Sequence, residues 1–279
     1  MSKYYYLVAG LPEVRPDDSK LSLSLKEFRQ TLIEALSQRD LALADLIFEK
    51  YEAQNWLTYL TNQDAELNPA GRLQKTDFED IVSYLKEEED SKLKSVPAYF
   101  ATFAHAFWDE KPLYESLSWD DQLMTLYYQH ALSCQNRLVK SWFEFNLNIH
   151  NLLAANTCRK FGYDIQSAII GDNQVADILR TTNARDFGIL DYFEEADQVI
   201  RIAEMADWLE RERRIDLLKW QWLDEHTVFD YFTMEVIAVY IVKLQLIERW
   251  LPLKKETGEA VFKGLIESLK KNVMLPEMA

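Results

Sequence analysis

The spacing of the four histidines tests whether the chain could hold a metal ion. They are His105, His130, His150 and His226. A di-iron helical bundle places a Glu three residues before a ligand His, and zinc proteases of the HExxH type place two His four residues apart. Neither spacing occurs here. His130 lies on the apolar face of a predicted helix, which is more typical of a hydrogen-bonded core histidine than of a ligand. We therefore expect no metal site.

Other residue patterns that carry chemistry are also missing from the sequence. It has no GxxxxGK[ST], GxGxxG or GxSxG motif, so it predicts no phosphate-binding loop and no nucleophile elbow. Paired carboxylates such as Glu194–Glu195 arise by chance in a chain with 46 acidic residues. Cys134 and Cys158 lack a CxxC spacing and are interpreted as reduced, buried thiols. We expect no cofactor and no enzyme activity, with an aromatic-lined enzyme site as the remaining alternative.

The net charge of −15 restricts the partners of the chain. Non-specific binding to nucleic acids needs Lys and Arg to displace counterions from phosphates, and anionic lipids repel an acidic surface. Partners should therefore be basic or apolar, unless the acidity serves only to keep the protein dissolved. The opening residues 4–9 and the longest apolar run, 236–242, are far shorter than the 18 or so residues of a membrane span. We expect a cytoplasmic protein that does not insert into a membrane.

The elements that would position any site are predicted to be helices. Gly and Pro contribute only seven residues each to the 279, which disfavours architectures rich in turns. Capping signatures at helix starts are Ser24 with Glu27, Thr76 with Glu79 and Ser118 with Asp121, and Asp40 is a further candidate cap. Residues 4–9 fit either a short strand or the start of a helix.

The sequence carries fewer signals for where helices end or bend than for where they start. Between Ser118 and Gly162 the sequence contains neither Gly nor Pro, and it fits either one helix of about 60 Å or two helices with a hidden bend. Gly162 is predicted to end that stretch. The apolar stripe loses phase at 210–214, where we expect a kink or a solvent-facing turn. A last long helix is predicted over about 231–254.

Two windows of the sequence are similar enough to suggest an internal repeat. Residues 146–170 and 243–266 each contain a long helix, a basic and polar exit, a glycine and a short amphipathic helix, with Leu147 opposite Leu244. A weaker third copy begins at 48–60. We expect one all-α domain over 1–279, built from two or three pseudo-repeated lobes with approximate bounds 1–95, 96–180 and 181–279. The sequence leaves open whether the lobes form a funnel or a compact bundle.

The residues of these units resemble a known pattern. In the first copy the matching residues are Glu144, Asn148, Asn151, Leu152, Arg159, Lys160, Gly162 and Asp164; in the second they are Glu248, Arg249, Lys254, Lys255, Gly258 and Glu259. This order resembles that in the lobes of the C-type subunit of the V/A-type rotary ATPases, called the d-type subunit in eukaryotes. The opening YYYLVAGLP resembles that of an uncharacterised bacterial family typically encoded among V-type ATP synthase subunits. Pro252 departs from the pattern of the C-type subunit.

The resemblance implies a non-catalytic central-stalk subunit of a proton- or sodium-translocating V-type ATPase. Such a subunit joins the central-shaft subunits to the membrane rotor ring, and so lies in the cytoplasm, peripheral to the membrane. Candidate partner-binding residues are Glu144, Asn148, Asn151, Glu248 and Arg249. The first three are spaced i, i+4, i+7 and share one helix face, which could equally be a solvated stripe. The alternative function is an acidic all-helical scaffold or adaptor of another cytoplasmic assembly.

Overall fold

All regular structure is helical in the computed structural model, which describes residues 4–87, 96–184 and 186–251. The helices are α1 Tyr5–Ala9, α2 Leu25–Ala35, α3 Gln38–Thr61, α4 Lys75–Lys86, α5 Tyr99–Trp108, α6 Trp119–Leu132, α7 Arg137–Phe161, α8 Gln174–Thr181, α9 Ala196–Ala203, α10 Trp208–Thr227 and α11 Met234–Trp250, with a 3-10 turn at Ile165–Ser167. The predicted all-α fold class is confirmed. The opening residues form helix α1, so the alternative of a short N-terminal strand is wrong.

The helices group into two compact units. One is drawn from Met1–Ala35 and Tyr231–Ala279, and the other is Leu36–Asp230. The two units are defined by contacts between residues and not by the sequence repeat. The three lobes expected from the repeat therefore remain a prediction. In the first unit α2 packs against α11. The Phe28 ring meets the Tyr240 ring edge-on at 5.0 Å, and the Tyr240 hydroxyl donates to the carbonyl of Pro12 at 3.0 Å.

The core of the larger unit is built around two long helices. Helix α3 packs against α4, α5 and α6, while α7 packs against α6, α8 and α9. On α3 the fully buried Trp56 stacks on Phe78 and Phe100, and its indole N–H donates to the carbonyl of Phe100 at 3.2 Å. Burying such rings contributes strongly to stability because each removes about 150–250 Å² from water. The hydrogen bond to Phe100 means that the indole N–H of Trp56 is also buried with an acceptor.

Two of the predicted helix starts are confirmed. The Ser24 hydroxyl accepts from the Glu27 N–H at 3.2 Å, and the Glu27 carboxylate accepts from the Ser24 N–H at 2.9 Å. The Ser118 hydroxyl accepts from the Asp121 N–H at 3.1 Å and donates to its carboxylate at 2.7 Å. The first pair is a capping box and the second a side-chain cap, and both satisfy N–H groups that have no partner within the helix.

Two other predicted starts are wrong by two or three residues. Helix α4 starts after Gln74, whose N–H donates to the Asp77 carboxylate at 2.7 Å, and not at the predicted pair Thr76 and Glu79. The chain is already fixed just before this point by side chains of α3, which brings the start forward. At α3 the cap is Ser37. Asp40, the predicted cap, instead donates its N–H to the Ser37 hydroxyl.

The long stretch without Gly or Pro contains a break. Helix α6 ends at Leu132 and α7 begins at Arg137, with the Asn136 side chain accepting from the Val139 N–H at 3.0 Å. The bent alternative is therefore right and the continuous helix is wrong. Gly162 ends α7 with a φ of 72°, as predicted, because the left-handed conformation strains residues that have a Cβ.

The kink predicted at 210–214 is wrong. Helix α10 runs without a break through this segment, where Arg214 pairs with Glu210 at 2.7 Å across one turn. The break lies earlier, between α9 and α10, where the Asp207 carboxylate accepts two N–H groups of the first turn of α10. The apolar stripe loses phase because this part of the helix is largely solvated. The last long helix is α11, and the exit and short helix predicted around Gly258 lie outside the described residues.

Candidate functional site

The structure separates the five predicted partner-binding residues into exposed and internal ones. On α7 Glu144 is exposed, whereas Asn148 and Asn151 are 4% and 0% exposed. On α11 Arg249 is exposed, and Glu248 is half-buried. The two asparagines thus point into the larger unit rather than toward a partner. Glu144 and Arg249 remain accessible, and the other three residues make contacts within the chain.

Asn151 holds a segment that lies outside its own helix. Its side-chain N–H donates to the carbonyl of Ile170 at 2.8 Å, and its side-chain oxygen accepts from the Ile170 N–H at 3.0 Å. Three residues earlier, Asn148 accepts from the side chain of Asn173, the cap of α8, at 2.7 Å. We call this arrangement a loop clamp: a buried or half-buried polar side chain on a long helix bonds the backbone of a segment elsewhere in the chain.

A second loop clamp lies on α3. Asn55, 2% exposed, donates to the carbonyl of Asn68 at 3.0 Å and accepts from the Asn68 N–H at 2.7 Å. Three residues earlier, the buried Glu52 carboxylate accepts from the N–H groups of Arg72 and Leu73. The last two bonds fix the chain just before α4, which explains where that helix begins.

A glycine lies close in sequence to each clamped residue: Gly71 is three residues after Asn68, and Gly171 directly follows Ile170. At Gly71 a Cβ atom would lie 2.4 Å from the Asn55 side-chain nitrogen, so only Gly leaves room for the clamp. Gly171 has a φ of +73°, a conformation that other residues rarely adopt, and a Cβ there would lie 3.0 Å from a methyl group of Leu147. Both loop clamps therefore depend on a glycine as well as on a helix residue.

A third contact of the same kind joins α11 to α2. The Glu248 carboxylate accepts from the N–H of Leu25, the first residue of α2, at 2.6 Å. Three residues earlier, Gln245 is 7% exposed. This loop clamp differs from the others because the clamped segment precedes the long helix in sequence, and because a carboxylate takes the position of the asparagine amide. Hydrogen bonds to charged groups are about twice as strong as neutral ones.

The three loop clamps recur at a nearly constant interval. Asn55 and Asn151 are 96 residues apart, and Asn151 and Glu248 are 97 apart. Leu147 and Leu244, which are paired in the windows at 146–170 and 243–266, are also 97 residues apart, and Asn55 lies within the weaker copy at 48–60. Sequence analysis named Asn151 and Glu248 for partner binding and missed Asn55. The signal that could have found it is a polar residue on the apolar face of each helix at this interval.

The larger unit also contains an acidic cleft, which we define by its charged lining. Its volume is about 630 Å³, and its lining residues are Glu194, Glu195, Asp197, Gln198, Arg201, Leu218, Gln221, Trp222, Glu225 and His226. Helices α9 and α10 provide the walls. Arg201 pairs with Asp197, which leaves three other carboxylates around the opening. At its base the His226 ring stacks on Trp222 with centroids 3.8 Å apart, and its Nδ1 lies 2.8 Å from the Trp222 carbonyl.

Electrostatics make this cleft suited to a cation. The pKa of Glu195 is raised, chiefly because burial disfavours its charged form and also because Glu194 and Glu225 are close. His226 acts in the opposite direction. A cationic group entering the cleft would offset this repulsion and favour the charged carboxylates. Sequence analysis treated the pair Glu194–Glu195 as a chance product of composition, because adjacency in sequence cannot show that α10 faces it.

A buried carboxyl lies elsewhere in the same unit. Glu49 on α3 is 9% exposed, and burial raises its pKa to about 8. His130, the histidine predicted to be a hydrogen-bonded core residue, is half-exposed and lies with its Nε2 3.6 Å from Glu49 Oε2. The Tyr99 ring packs against His130 with centroids 5.7 Å apart. Nothing in the sequence distinguishes Glu49 from the many solvated acids of this chain.

The described part of the chain shows neither a metal-binding cluster nor a membrane-spanning helix. There, no three His, Cys, Asp or Glu side chains come together in a way that could hold a metal ion. None of the helices in residues 4–87, 96–184 and 186–251 combines the length and the apolar character needed to cross a membrane. Cys158 is buried and Cys134 half-buried, and both are free thiols.

Comparison with known proteins gives one match. A protein-family model described as "Protein of unknown function (DUF2764)" matches residues 1–273. No curated protein and no solved structure matches the chain.

Proposed function

The chain belongs to the DUF2764 family of proteins of unknown function, and from this premise we propose that it is a non-catalytic central-stalk subunit of a V-type ATP synthase or ATPase. In this role it couples the central shaft to the membrane rotor ring. It works in the cytoplasm, peripheral to the membrane through the complex. Its partners are the shaft subunits and the ring, and neither nucleic acid nor bilayer is contacted directly.

The observation that carries this proposal is the recurrence of the loop clamp. Three long helices, α3, α7 and α11, each have a polar side chain at the same repeat position that bonds a backbone N–H outside the helix. The interval of 96 or 97 residues divides the chain into three comparable parts. Three pseudo-equivalent helical lobes are the architecture that the resemblance to the C-type ATPase subunit implies, so the recurrence supports that resemblance independently of the opening phrase.

The loop clamps also suit a part that transmits torque. A coupling subunit must resist deformation, and the flexible points of a helical protein are the segments between helices. Here the peptide groups of Asn68 and Ile170 are each bonded on both sides by one buried amide. The close-packed interior then passes strain from helix to helix.

The acidic cleft supplies a surface for a basic shaft end. Carboxylates in a recess raise the local concentration of a positively charged partner and orient it during encounter. The net charge of −15 acts in the same direction over longer distances. We therefore assign the shaft contact to the acidic cleft, with Glu194 and Glu225 as its exposed carboxylates.

The direct test is to mix the purified protein with the central-shaft subunits and with detergent-solubilised rotor ring at low salt. We expect co-elution with one or both in size-exclusion chromatography, weakened as salt is added. The double variant Glu194→Lys with Glu225→Lys should lose the shaft complex. The matched control, Glu66→Lys with Glu115→Lys, changes net charge equally at exposed acids outside the acidic cleft and should keep it.

Three outcomes of this experiment are decisive. Failure of the wild-type protein to associate with either partner contradicts the proposed function. Equal loss in both double variants contradicts the assignment of the shaft contact to the acidic cleft and points to net charge instead. Binding to some other basic assembly, with shaft and ring ignored, favours the alternative of an acidic scaffold or adaptor.

A further inference from the structure

The buried Glu49 lies where three helices of the larger unit meet. Helix α3 carries Glu49 and packs against both α5 and α6. From α5 comes Tyr99, which is 8% exposed, and from α6 come Tyr127, 3% exposed, and the half-exposed His130. The proposed shaft contact uses none of these residues, and a carboxyl group in such surroundings requires its own explanation.

The polar atoms of this junction are not fully paired. Glu49 Oε1 and the Tyr99 hydroxyl are both buried, and neither makes a hydrogen bond of acceptable geometry. Glu49 Oε2 lies 3.6 Å from Nε2 of the His130 imidazole, a distance too long for a direct hydrogen bond. The Tyr127 hydroxyl donates instead to the carbonyl of Leu46 at 3.3 Å. An ionised carboxylate at this position would thus be left without adequate compensation.

We propose that Glu49, with Tyr99 and His130 beside it, is a proton-operated latch that holds α5 and α6 against α3. In the closed state the Glu49 carboxyl carries its proton and stays in the junction. When the O–H bond of the carboxyl breaks, the proton passes to water on the exposed side of His130, and the carboxylate keeps the electron pair. The charged side chain then leaves the junction for solvent, and α5 and α6 loosen.

The charged groups that face Glu49 favour the protonated form. Burial is the largest cause of its raised pKa of about 8, and Glu52 and Asp45 on α3 raise it further. The Tyr99 hydroxyl, which lies close to the carboxyl without a well-aligned hydrogen bond, and the charge of Arg72 lower it. On the α6 side, burial lowers the pKa of His130, which makes its imidazole a weaker cationic partner for an ionised Glu49.

The direction of the pH effect follows from linkage. Because the pKa of Glu49 in the folded state is above the ordinary value of 4.5, its contribution to stability is fully present below pH 4.5 and is lost as pH rises through about 8. With these two pKa values the equilibrium constant for opening increases about tenfold between pH 7 and pH 9. Raising the pH from 7 to 9 therefore shifts the latch toward its open state.

Hydrogen exchange of the wild-type protein tests the latch. Corrected for the intrinsic pH dependence of exchange, the amides of α5 and of the facing turns of α3 and α6 should exchange about tenfold faster at pH 9 than at pH 7. Amides of α8 should keep their protection. Equal protection at the two pH values at the junction, or the same loss in α8, overturns the proposal.

A pair of variants assigns the effect to Glu49. Glu49→Gln mimics the protonated carboxyl and should keep the pH 7 protection at pH 9. Glu79→Gln, on the exposed face of α4, removes an equal charge and should respond to pH like the wild type. A pH response that persists unchanged in Glu49→Gln overturns the proposal. If Glu49→Gln does not fold, hydrogen exchange of the wild-type protein still tests the proposal. The pH response must then be confined to α3, α5 and α6.

Discussion

At the scale of single residues, the buried amides of Asn55 and Asn151 bond the backbone of distant segments. Asn151 is fully buried and satisfies both the N–H and the carbonyl of Ile170, itself 1% exposed. A buried backbone group that loses its partner costs about 1–3 kcal/mol, far more than the net gain from a typical hydrogen bond. The stabilising effect of Asn151 is thus mainly the avoidance of two unpaired groups.

Asn151→Ala should therefore lower the free energy of unfolding by about 2–4 kcal/mol, because it leaves the Ile170 peptide unpaired and opens a small cavity. Urea denaturation followed by circular dichroism measures this loss. Glu144→Ala is the matched control on the exposed face of the same helix, and it should change stability by no more than about 0.5 kcal/mol. Equal losses in the two variants would contradict the loop clamp.

At the scale of elements, local sequence signals predict where some helices start. Tertiary contacts determine the other boundaries and which helix faces meet. The Ser24–Glu27 and Ser118–Asp121 boxes use residues three apart, so the sequence alone identifies them. The start of α4 was not predictable in the same way, because it depends on Glu52, about 20 residues earlier in the chain. The acidic cleft is similarly beyond sequence reasoning, since periodicity assigns residues to faces without showing which faces meet.

The break before α10 shows how a cap can determine an element boundary. Loss of the apolar phase at 210–214 predicted a kink in the wrong place, because a solvated helix needs no apolar stripe when capping and side-chain pairs support it. The side chain of Asp207 accepts from the N–H groups of Leu209 and Glu210 at 2.9 and 3.0 Å. The negative charge also interacts favourably with the N-terminal end of the helix dipole.

Two substitutions of Asp207 separate the effect of its hydrogen bonds on stability from the effect of its charge. Asp207→Ala should destabilise the protein by about 1 kcal/mol, because two N–H groups lose their acceptor. Asp207→Asn keeps an acceptor of nearly equal capping strength and should cost only a few tenths of a kcal/mol. Thermal unfolding at several salt concentrations separates the two effects. If Asn is as damaging as Ala, the charge of Asp207 matters and its hydrogen bonds do not.

At the scale of the whole molecule, one compact unit combines distant parts of the chain. Helices α2 and α11 are more than 200 residues apart in sequence, yet they pack together and share the Glu248–Leu25 bond. The repeat suggested by two sequence windows pairs Asn151 of α7 with Glu248 of α11, and both side chains bond a backbone N–H outside their own helix. It could not show that the third loop clamp would bond a segment from the beginning of the chain, because a repeat predicts equivalent positions and not the connectivity around them.

Removing Glu248 therefore tests the assembly of this unit from its two ends. In Glu248→Ala the Leu25 N–H loses a charge-assisted bond of about 1.5–3 kcal/mol, so amides in the first turns of α2 should exchange about tenfold or more faster. The adjacent Arg249→Ala, at an exposed position, should leave them unchanged. The Asn151→Ala variant provides the reciprocal comparison, because it should expose amides around Ile170 and spare those of α2. If either variant loosened both regions equally, the loop clamps would not act as local supports, and stability would instead be shared over the whole chain.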